Sequence, residues 1–343
     1  MCALPLSESI LKYMIPWLDL EWPLNPSEQY GREGPFVVEI GFGNGGFLVE
    51  QALSHPETLF LGIERSWGAA QRLFKRLEQT GLDNTRVIQG GAEFLLGNLF
   101  EPESIQEIYI NFSDPWPKER HHSRRLIQPR FIKLVAERLV KDGKVTIATD
   151  HPEYADWIAG VLEGQSALVS CFDRTRMSEL SGRTPTKYEQ KAMDANVPIN
   201  YFVWRRASVD SPPVNVQRIE DMPNVILKGP CDRDRLFADQ EPRSWVMTHA
   251  GSEVVIKLSH AYRDTEGDWL LEMMVKEGAF SQHFGIVVLN RADGGYLVKL
   301  AAMGHPRPTW GVKQAVGKIS EVIRERFPSM QVERSTVPGE YSG

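Results

Sequence analysis

The sequence predicts an α/β protein: a mostly parallel sheet covered by helices on both faces, followed by a smaller α+β unit. Three observations carry this. From residue 36 to 206, short apolar runs alternate with amphipathic helical stretches, the pattern of parallel strands joined by crossover helices. A glycine-rich turn, Gly41–Gly46, joins the first apolar run to the first long helical stretch. Such a turn sits where open α/β sheets hold their ligands. Beyond Pro213 the pattern changes to successive strands and one helix.

The elements follow in order. Phe36–Ile40 is a short apolar strand, and Phe47–Ser54 a helix beyond the glycine turn. Thr58–Glu64 is a second strand. Gly68–Thr80 is a helix with Ala69, Leu73 and Leu77 on one face. Thr85–Gln89 and Ile105–Phe112 are the third and fourth strands, Gln128–Leu139 a helix, Gly143–Thr149 the fifth strand, and Glu153–Glu163 a further helix. Ile199–Trp204 is the last hydrophobic strand of this region. Ser208–Pro213 carries two prolines beside serine and aspartate, which suits a linker. The expected division is therefore 1–208 (core 35–206), a linker at 209–213, and 214–343. In the last part, Val254–Ser259, Trp269–Val275, Gly285–Leu289 and Tyr296–Ala301 read as strands, with turns at Asp264–Asp268 and Ala292–Gly295. Val312, Ala315, Val316, Ile319, Val322, Ile323 and Phe327 recur at helical spacing.

Composition narrows the class. Hydrophobic residues at 42% and charged residues at 24% fit a soluble globular chain. No run reaches the ~20 apolar residues of a membrane helix, and the first twenty residues lack a basic segment before their apolar ones. Three scattered cysteines make neither a disulfide framework nor a metal motif, so a reducing cytoplasm is expected. Net charge is −6; residues 1–208 hold 23 basic and 27 acidic side chains, and the remainder 16 and 18. Any nucleic-acid surface must therefore be a local patch.

The glycine turn satisfies G-x-G-x-x-G, so a dinucleotide site is one reading. Glu39, just before Gly41, suits a ligand with a cationic end such as the methionyl ammonium of S-adenosylmethionine, and suits a pyrophosphate poorly. Glu64 ends the second strand, where an acid bonds ribose hydroxyls. An ordinary turn flanked by two surface acids remains the plain alternative.

After the fourth strand comes Asn111-Phe112-Ser113-Asp114-Pro115-Trp116-Pro117-Lys118. Asp114 can accept hydrogen bonds from the N1 and N2 donors of guanine, or cap an Asx turn before the proline. Trp116 can stack on a base, worth ~1–3 kcal/mol, or pack over the loop. Lys118, Arg120, His121, His122, Ser123, Arg124 and Arg125, with Arg130 and Lys133 beyond, form the densest basic run of an acidic chain. Its place beside the loop points to RNA phosphates. Asp150 ends the fifth strand on the same rim, and Arg183–Glu189 is a compact polar segment whose periodicity assigns it no role.

Together these residues resemble the bacterial tRNA (guanine-N7)-methyltransferase family. The matching elements are Glu39-Ile-Gly-Phe-Gly, Gly62-Ile-Glu64, the Asp114-Pro-Trp loop with Lys118, Arg120–Arg125, Ala148-Thr149-Asp150 and Thr186-Lys-Tyr-Glu189, in family order over roughly 35–206. The resemblance implies a Rossmann-like S-adenosylmethionine-dependent fold and methylation of a variable-loop guanine of tRNA, at position 46. It implies Asp114 at the catalytic centre and the cofactor on Glu39, Gly41, Gly43, Glu64, Gly91 and Asp114. Lys118, Asp150, Thr186, Lys187, Tyr188 and Glu189 would hold substrate, and Arg120–Arg125 would touch RNA. No metal and no membrane are implied. One departure is Gly91, where the family carries an acidic or amide side chain near the adenine; Glu93 is the candidate substitute.

Residues 214–343 lie outside the resemblance and show no catalytic constellation. His249, His260, His283 and His305 are scattered. Arg307, Trp310, Lys313 and Lys318, around the start of the last helix, are the candidate RNA contacts there, since a helix N-terminus favours anions. Two other classes stay open: a nicotinamide-dependent oxidoreductase on the same turn, and a non-catalytic RNA-binding module. Monomer and homodimer are equally compatible with the sequence.

Overall fold

The computed structural model describes residues 6–18, 20–181, 185–207, 222–249, 251–278, 280–304 and 306–339; the expected linker at 209–213 lies outside them. The chain forms two compact units, Met1–Gln217 and Arg218–Gly343.

In the first unit the elements are α1 (Leu6–Tyr13), α2 (Pro26–Tyr30), β1 (Phe36–Ile40), α3 (Gly46–Ser54), β2 (Leu59–Glu64), α4 (Trp67–Thr80) and β3 (Thr85–Gln89). They continue with α5 (Ala92–Leu99), β4 (Ile105–Asn111), α6 (Pro129–Arg138), β5 (Leu139–Thr149), α7 (Pro152–Glu163), β6 (Leu168–Ser170), α8 (Lys187–Asp194) and β7 (Asn200–Arg206). The strands form one sheet in the order β3-β2-β1-β4-β5-β7-β6. All neighbours are parallel except at β7, which runs antiparallel to β5 and β6. Strand order reverses between β1 and β4, so the crevice beyond their carboxyl ends is the topological switch point.

Burial explains why β1 reads as a continuous apolar run. Both faces of a parallel sheet are covered, and all five residues of β1 are buried, Glu39 included at 2% exposure. The helices cover those faces. Ser66 caps α4 by accepting a hydrogen bond from the Ala69 amide, and Ala69, Leu73 and Leu77 pack inward as their spacing requires. Gly81, in the left-handed region at φ 69°, ends the helix.

Several elements escape the sequence pattern, α1, α2 and β6 among them. The stretch after β3 is helical: α5 starts at Gly91 with no side-chain cap. β5 begins four residues before the expected Gly143. The polar segment at 186–194 starts a helix, α8.

The second unit contains β8 (Asn224–Lys228), β9 (Arg243–His249), β10 (Ser252–Arg263), β11 (Trp269–Glu277), β12 (Phe280–Asn290), β13 (Tyr296–Leu300), α9 (Trp310–Arg326) and β14 (Gln331–Ser335). Its sheet has the order β14-β8-β13-β12-β11-β10-β9 and is antiparallel throughout. α9 buries Val312, Val316, Ile319 and Ile323 with Ile256, Leu271, Met273 and Val275 in one core. Strands β8, β9 and β14 go beyond the four expected.

The start of α9 is not the anion site its sequence suggests. The half-buried Glu277 carboxyl accepts hydrogen bonds from the Gly311 amide at 2.8 Å and from the Thr309 hydroxyl, so the chain's own acid caps this terminus. Burial raises the Glu277 pKa. Lys313 is buried, Lys318 pairs with Glu321 at 2.8 Å, and Trp310 stacks on His249 with centroids 4.3 Å apart. These side chains serve packing and capping.

One buried amide ties the first sheet to its helices. Asn84, 1% exposed, donates through Nδ2 to the carbonyls of Ala52, His55 and Thr58 at 3.0, 3.3 and 3.1 Å. Asn84→Ala strands the Ala52 and Thr58 carbonyls, while that of His55 keeps the Thr58 amide. It is expected to lower unfolding free energy by about 2–3 kcal/mol in denaturant titration, since each buried group left without a partner costs ~1–3 kcal/mol.

Candidate active site

The site grows from the carboxyl ends of β1 and β4. Glu39 on β1 accepts a hydrogen bond through Oε1 from Nδ2 of Asn111 on β4, at 3.0 Å and fully buried. This bond joins the glycine turn after β1 to the loop after β4, the two segments expected to hold cofactor and acceptor.

The turn is shaped by residues that need left-handed backbone. Gly41 and Gly43 have φ of 73° and 56°, and a Cβ built on either meets nothing within 4 Å. The space over the turn is thus open to a ligand, and only glycine reaches this conformation without strain. Gly45, at φ 72°, is different: a Cβ would lie 2.6 Å from Leu73 Cδ1, so glycine there serves packing. The Gly43 amide donates to Glu64 Oε2 at 3.3 Å, while the Arg65 and Ser66 amides donate to Oε1 at 2.8 and 3.0 Å. Glu64 therefore holds the turn as well as ending β2.

These residues suit S-adenosylmethionine: a buried carboxyl for its ammonium, an acid at the second strand end for its ribose, and an uncovered glycine backbone between. At the adenine position Gly91 is the N-cap of α5 with no side-chain hydrogen bond. Glu93, the candidate substitute, is paired with Arg130 at 2.9 Å and so is engaged elsewhere. Sequence reasoning missed the wall behind Gly91. Trp17 and Trp22 are buried and stack 5.6 Å apart against Phe94 of α5, and Trp17 Nε1 donates to the Gln89 carbonyl at 3.1 Å. No motif marked them.

The acceptor loop carries two non-glycine residues with positive φ, Phe112 at 53° and Trp116 at 42°. Such conformations persist where surroundings enforce them, and the enforcing contacts are visible. The Phe112 amide donates to the Ala148 carbonyl at 2.8 Å. Ser113 Oγ and Tyr154 OH lie 3.1 Å apart; burial raises the Tyr154 pKa. Asp114 is exposed, and no described group hydrogen-bonds to its carboxylate, so it is not a turn cap. The Arg124 guanidinium lies 5.1 Å over the Trp116 ring, and His121 meets that ring edge-on at 5.8 Å.

Arg125 corrects the expectation of a uniform RNA-contacting run. Its side chain is 1% exposed; Nε donates to the Pro115 carbonyl at 2.8 Å and Nη2 to Glu153 at 2.9 Å. It also sits over the Tyr154 and Trp157 rings. His122 lies 3.4 Å from the same Glu153 carboxyl and edge-on to Trp157. Both face inward and brace the loop from α7. Lys118, Arg120, Ser123 and Arg124 are exposed and His121 is half-buried, leaving them as the outward part of the run.

The Thr186–Glu189 segment divides in the same way. Thr186 and Glu189 form a capping box: Thr186 Oγ1 accepts from the Glu189 amide at 3.0 Å, and Glu189 Oε2 accepts from the Thr186 amide at 2.5 Å. Glu189 Oε1 also accepts from Tyr201 OH at 2.9 Å. Both are buried and cap the start of α8. Lys187 and Tyr188 are exposed, and Tyr188 stacks on Phe112 at 5.9 Å, which brings this segment to the acceptor loop. Asp150, exposed at the end of β5, lies one strand further along the rim.

Comparison with known proteins agrees with this geometry. A family model described as "Putative methyltransferase" matches residues 33–201. A tRNA (guanine-N(7)-)-methyltransferase of Thermotoga maritima is 32% identical over 304 residues, covering 88% of this chain and 93% of the relative. One from Thermus thermophilus is 31% identical over 86% of this chain and 91% of its own length. Another, from Alkalilimnicola ehrlichii, is 37% identical over 171 residues, 50% of this chain and 72% of that protein, which is thus much shorter.

The brace has a pH signature. The hydrogen bond from Arg125 holds the Glu153 carboxyl below its ordinary value of 4.5. A depressed carboxylate stabilises the fold above its unfolded pKa, and that contribution is lost as pH falls through the folded value. Arg125→Gln is therefore expected to lower the melting temperature at pH 7, with the gap to wild type narrowing below about pH 4.5. A gap independent of pH would show that the pair does not act through Glu153.

Proposed function

The chain belongs to the tRNA (guanine-N(7)-)-methyltransferase family, and on that premise we propose that its target is the guanine at position 46, in the variable loop of tRNA. It is an S-adenosylmethionine-dependent methyltransferase. Membership sets aside the oxidoreductase and the non-catalytic module. The observation that carries the assignment of roles is the Glu39–Asn111 hydrogen bond, which sets the cofactor turn beside the acceptor loop at the switch point.

When bound, S-adenosylmethionine supplies a methyl group already activated on a sulfonium. Guanine N7 offers a lone pair and carries no proton, so the protein needs no general base. Its residues have two tasks. One is alignment: bringing N7 in line with the methyl carbon and sulfur can contribute ~7–11 kcal/mol through proximity. Glu39 and the Gly41–Gly43 backbone would hold the cofactor's methionyl end, and Glu64 its ribose. Asp114 and the Phe112–Tyr188 stack hold the base, and Lys118, Lys187 and Asp150 line the rim beside them.

The second task is electrostatic. Methyl transfer moves positive charge onto the guanine imidazole ring, and the Asp114 carboxylate stabilises it there while pairing with the base's N1 and N2 donors. Arg120 and Arg124, with His121 and Ser123, meet phosphates. Arg125 and Glu153 keep the loop in place.

Asp114→Asn is expected to retain S-adenosylmethionine affinity in calorimetry and to lose roughly 100-fold in labelled methyl transfer, the scale of removing one electrostatic group from a reacting centre. Wild-type turnover in that variant would remove Asp114 from the mechanism. For the target itself, unmodified tRNA should yield 7-methylguanosine on nucleoside analysis. The same transcript with adenine in place of guanine 46 should accept no label; equal labelling of both would refute the position.

A further inference from the structure

We propose that the uncovered face of the second unit's sheet is a docking surface for the tRNA substrate, with Lys257, Lys276, Lys299 and Arg334 on its phosphates; this rests on the tRNA reading above. α9 covers one face of that sheet, so the opposite face is built from the alternate residues of each strand. Cross-strand pairing places them together. Lys257 lies opposite Met274, and Lys276 opposite Val255. Leu270 pairs with Val287, Val287 with Lys299, and Ile226 with Arg334. All four cations are exposed, over a floor of half-buried Leu270, Met274, Val287 and Leu297.

Ion pairing separates these cations from most other exposed cations of the unit. Lys228, Arg233, Arg243, Arg263 and Arg291 each sit within ion-pair distance of a carboxylate. Among the described residues, Lys257, Lys276, Lys299 and Arg334 have no acidic partner. The acids on or beside this face are mostly engaged: Glu272 by His260 and Tyr262, and Glu333 and Asp293 by Lys228, while Glu253 stands near the start of β10. A chain of net charge −6 thus gathers unneutralised positive charge on the one sheet face that no helix of this unit covers. Lys276 and the position opposite Lys299 are six residues apart on β11, about 20 Å at the rise of a strand, a span of several phosphates. Polyanionic RNA is the occupant this charge fits. The start of α9, where sequence alone places the RNA contact, is closed by Glu277.

The test uses the full chain with the triple variant Lys257→Gln, Lys276→Gln, Lys299→Gln, and unmodified tRNA over a salt series. The log–log slope of tRNA affinity against salt should fall by about 2–3, at roughly 0.7–0.9 per lost phosphate contact. KM for tRNA should rise about tenfold with kcat, melting temperature and S-adenosylmethionine affinity held. The control Arg235→Gln, Arg324→Gln removes two exposed, unpaired cations away from this face and should leave the slope unchanged. A wild-type slope and KM in the triple variant overturns the proposal. So does an equal loss in the control, or a triple variant that sediments as a smaller species than wild type, which would make the face a contact between two copies. The binding slope is read without methyl transfer, so it decides this surface even if the transfer reading fails.

Discussion

A buried hydrogen bond between Glu39 and Asn111 sets the geometry on which the catalytic unit depends. Burying a carboxyl at 2% exposure is costly unless it is hydrogen-bonded or later meets a cation. Its place explains the tolerance. β1 and β4 are the strands between which the sheet reverses order, so their carboxyl ends diverge into a crevice. In the proposed reading Glu39 would hold the ammonium of the methionyl group, and the uncovered glycine backbone beside it would take the rest of the cofactor. The same bond fixes where β4 ends, and hence where the acceptor loop begins.

From that anchor the loop is held by layers of contact. Arg125, Tyr154, Trp157 and Glu153 support it from α7 and the turn before α6. Phe112 and Trp116 accept positive φ because those contacts over-determine the backbone. Asp114 is left exposed and unengaged at the centre of this scaffold. A carboxylate held by supported neighbours and left free is the arrangement the proposed role of Asp114 needs, since pre-organised groups stabilise charge that appears only on reaction.

Much of this was legible in the sequence. The alternation of strand and helix marked β1 to β5, and the glycine turn with Glu39 and Glu64 marked the crevice. What the sequence could not distinguish was which member of a motif faces inward. Arg120, Arg124 and Arg125 look alike in a basic run; only packing beside Tyr154 and Trp157 makes Arg125 a brace. Thr186 and Glu189 did carry a readable signal, since Thr-x-x-Glu is a capping-box pattern. Their fit to a substrate motif obscured it. α5 was hidden because Gly90 and Gly91 before it read as a turn and Gly97 within it weakens helical propensity until tertiary contacts override it. β9 was hidden because an edge strand, Arg243–His249, turns only Trp245 and Met247 to the core, and exposed Val246 between them blurs the alternation.

The most direct measurement is calorimetric binding of S-adenosylmethionine to Glu39→Gln, with circular dichroism confirming the fold. Glutamine preserves the shape and an oxygen for Asn111 while removing the charge. Hydrogen bonds to charged groups are worth ~1.5–3 kcal/mol, so the dissociation constant should rise about 10- to 150-fold with secondary structure intact. An unchanged dissociation constant in the folded variant would contradict the placement of the cofactor's ammonium on Glu39.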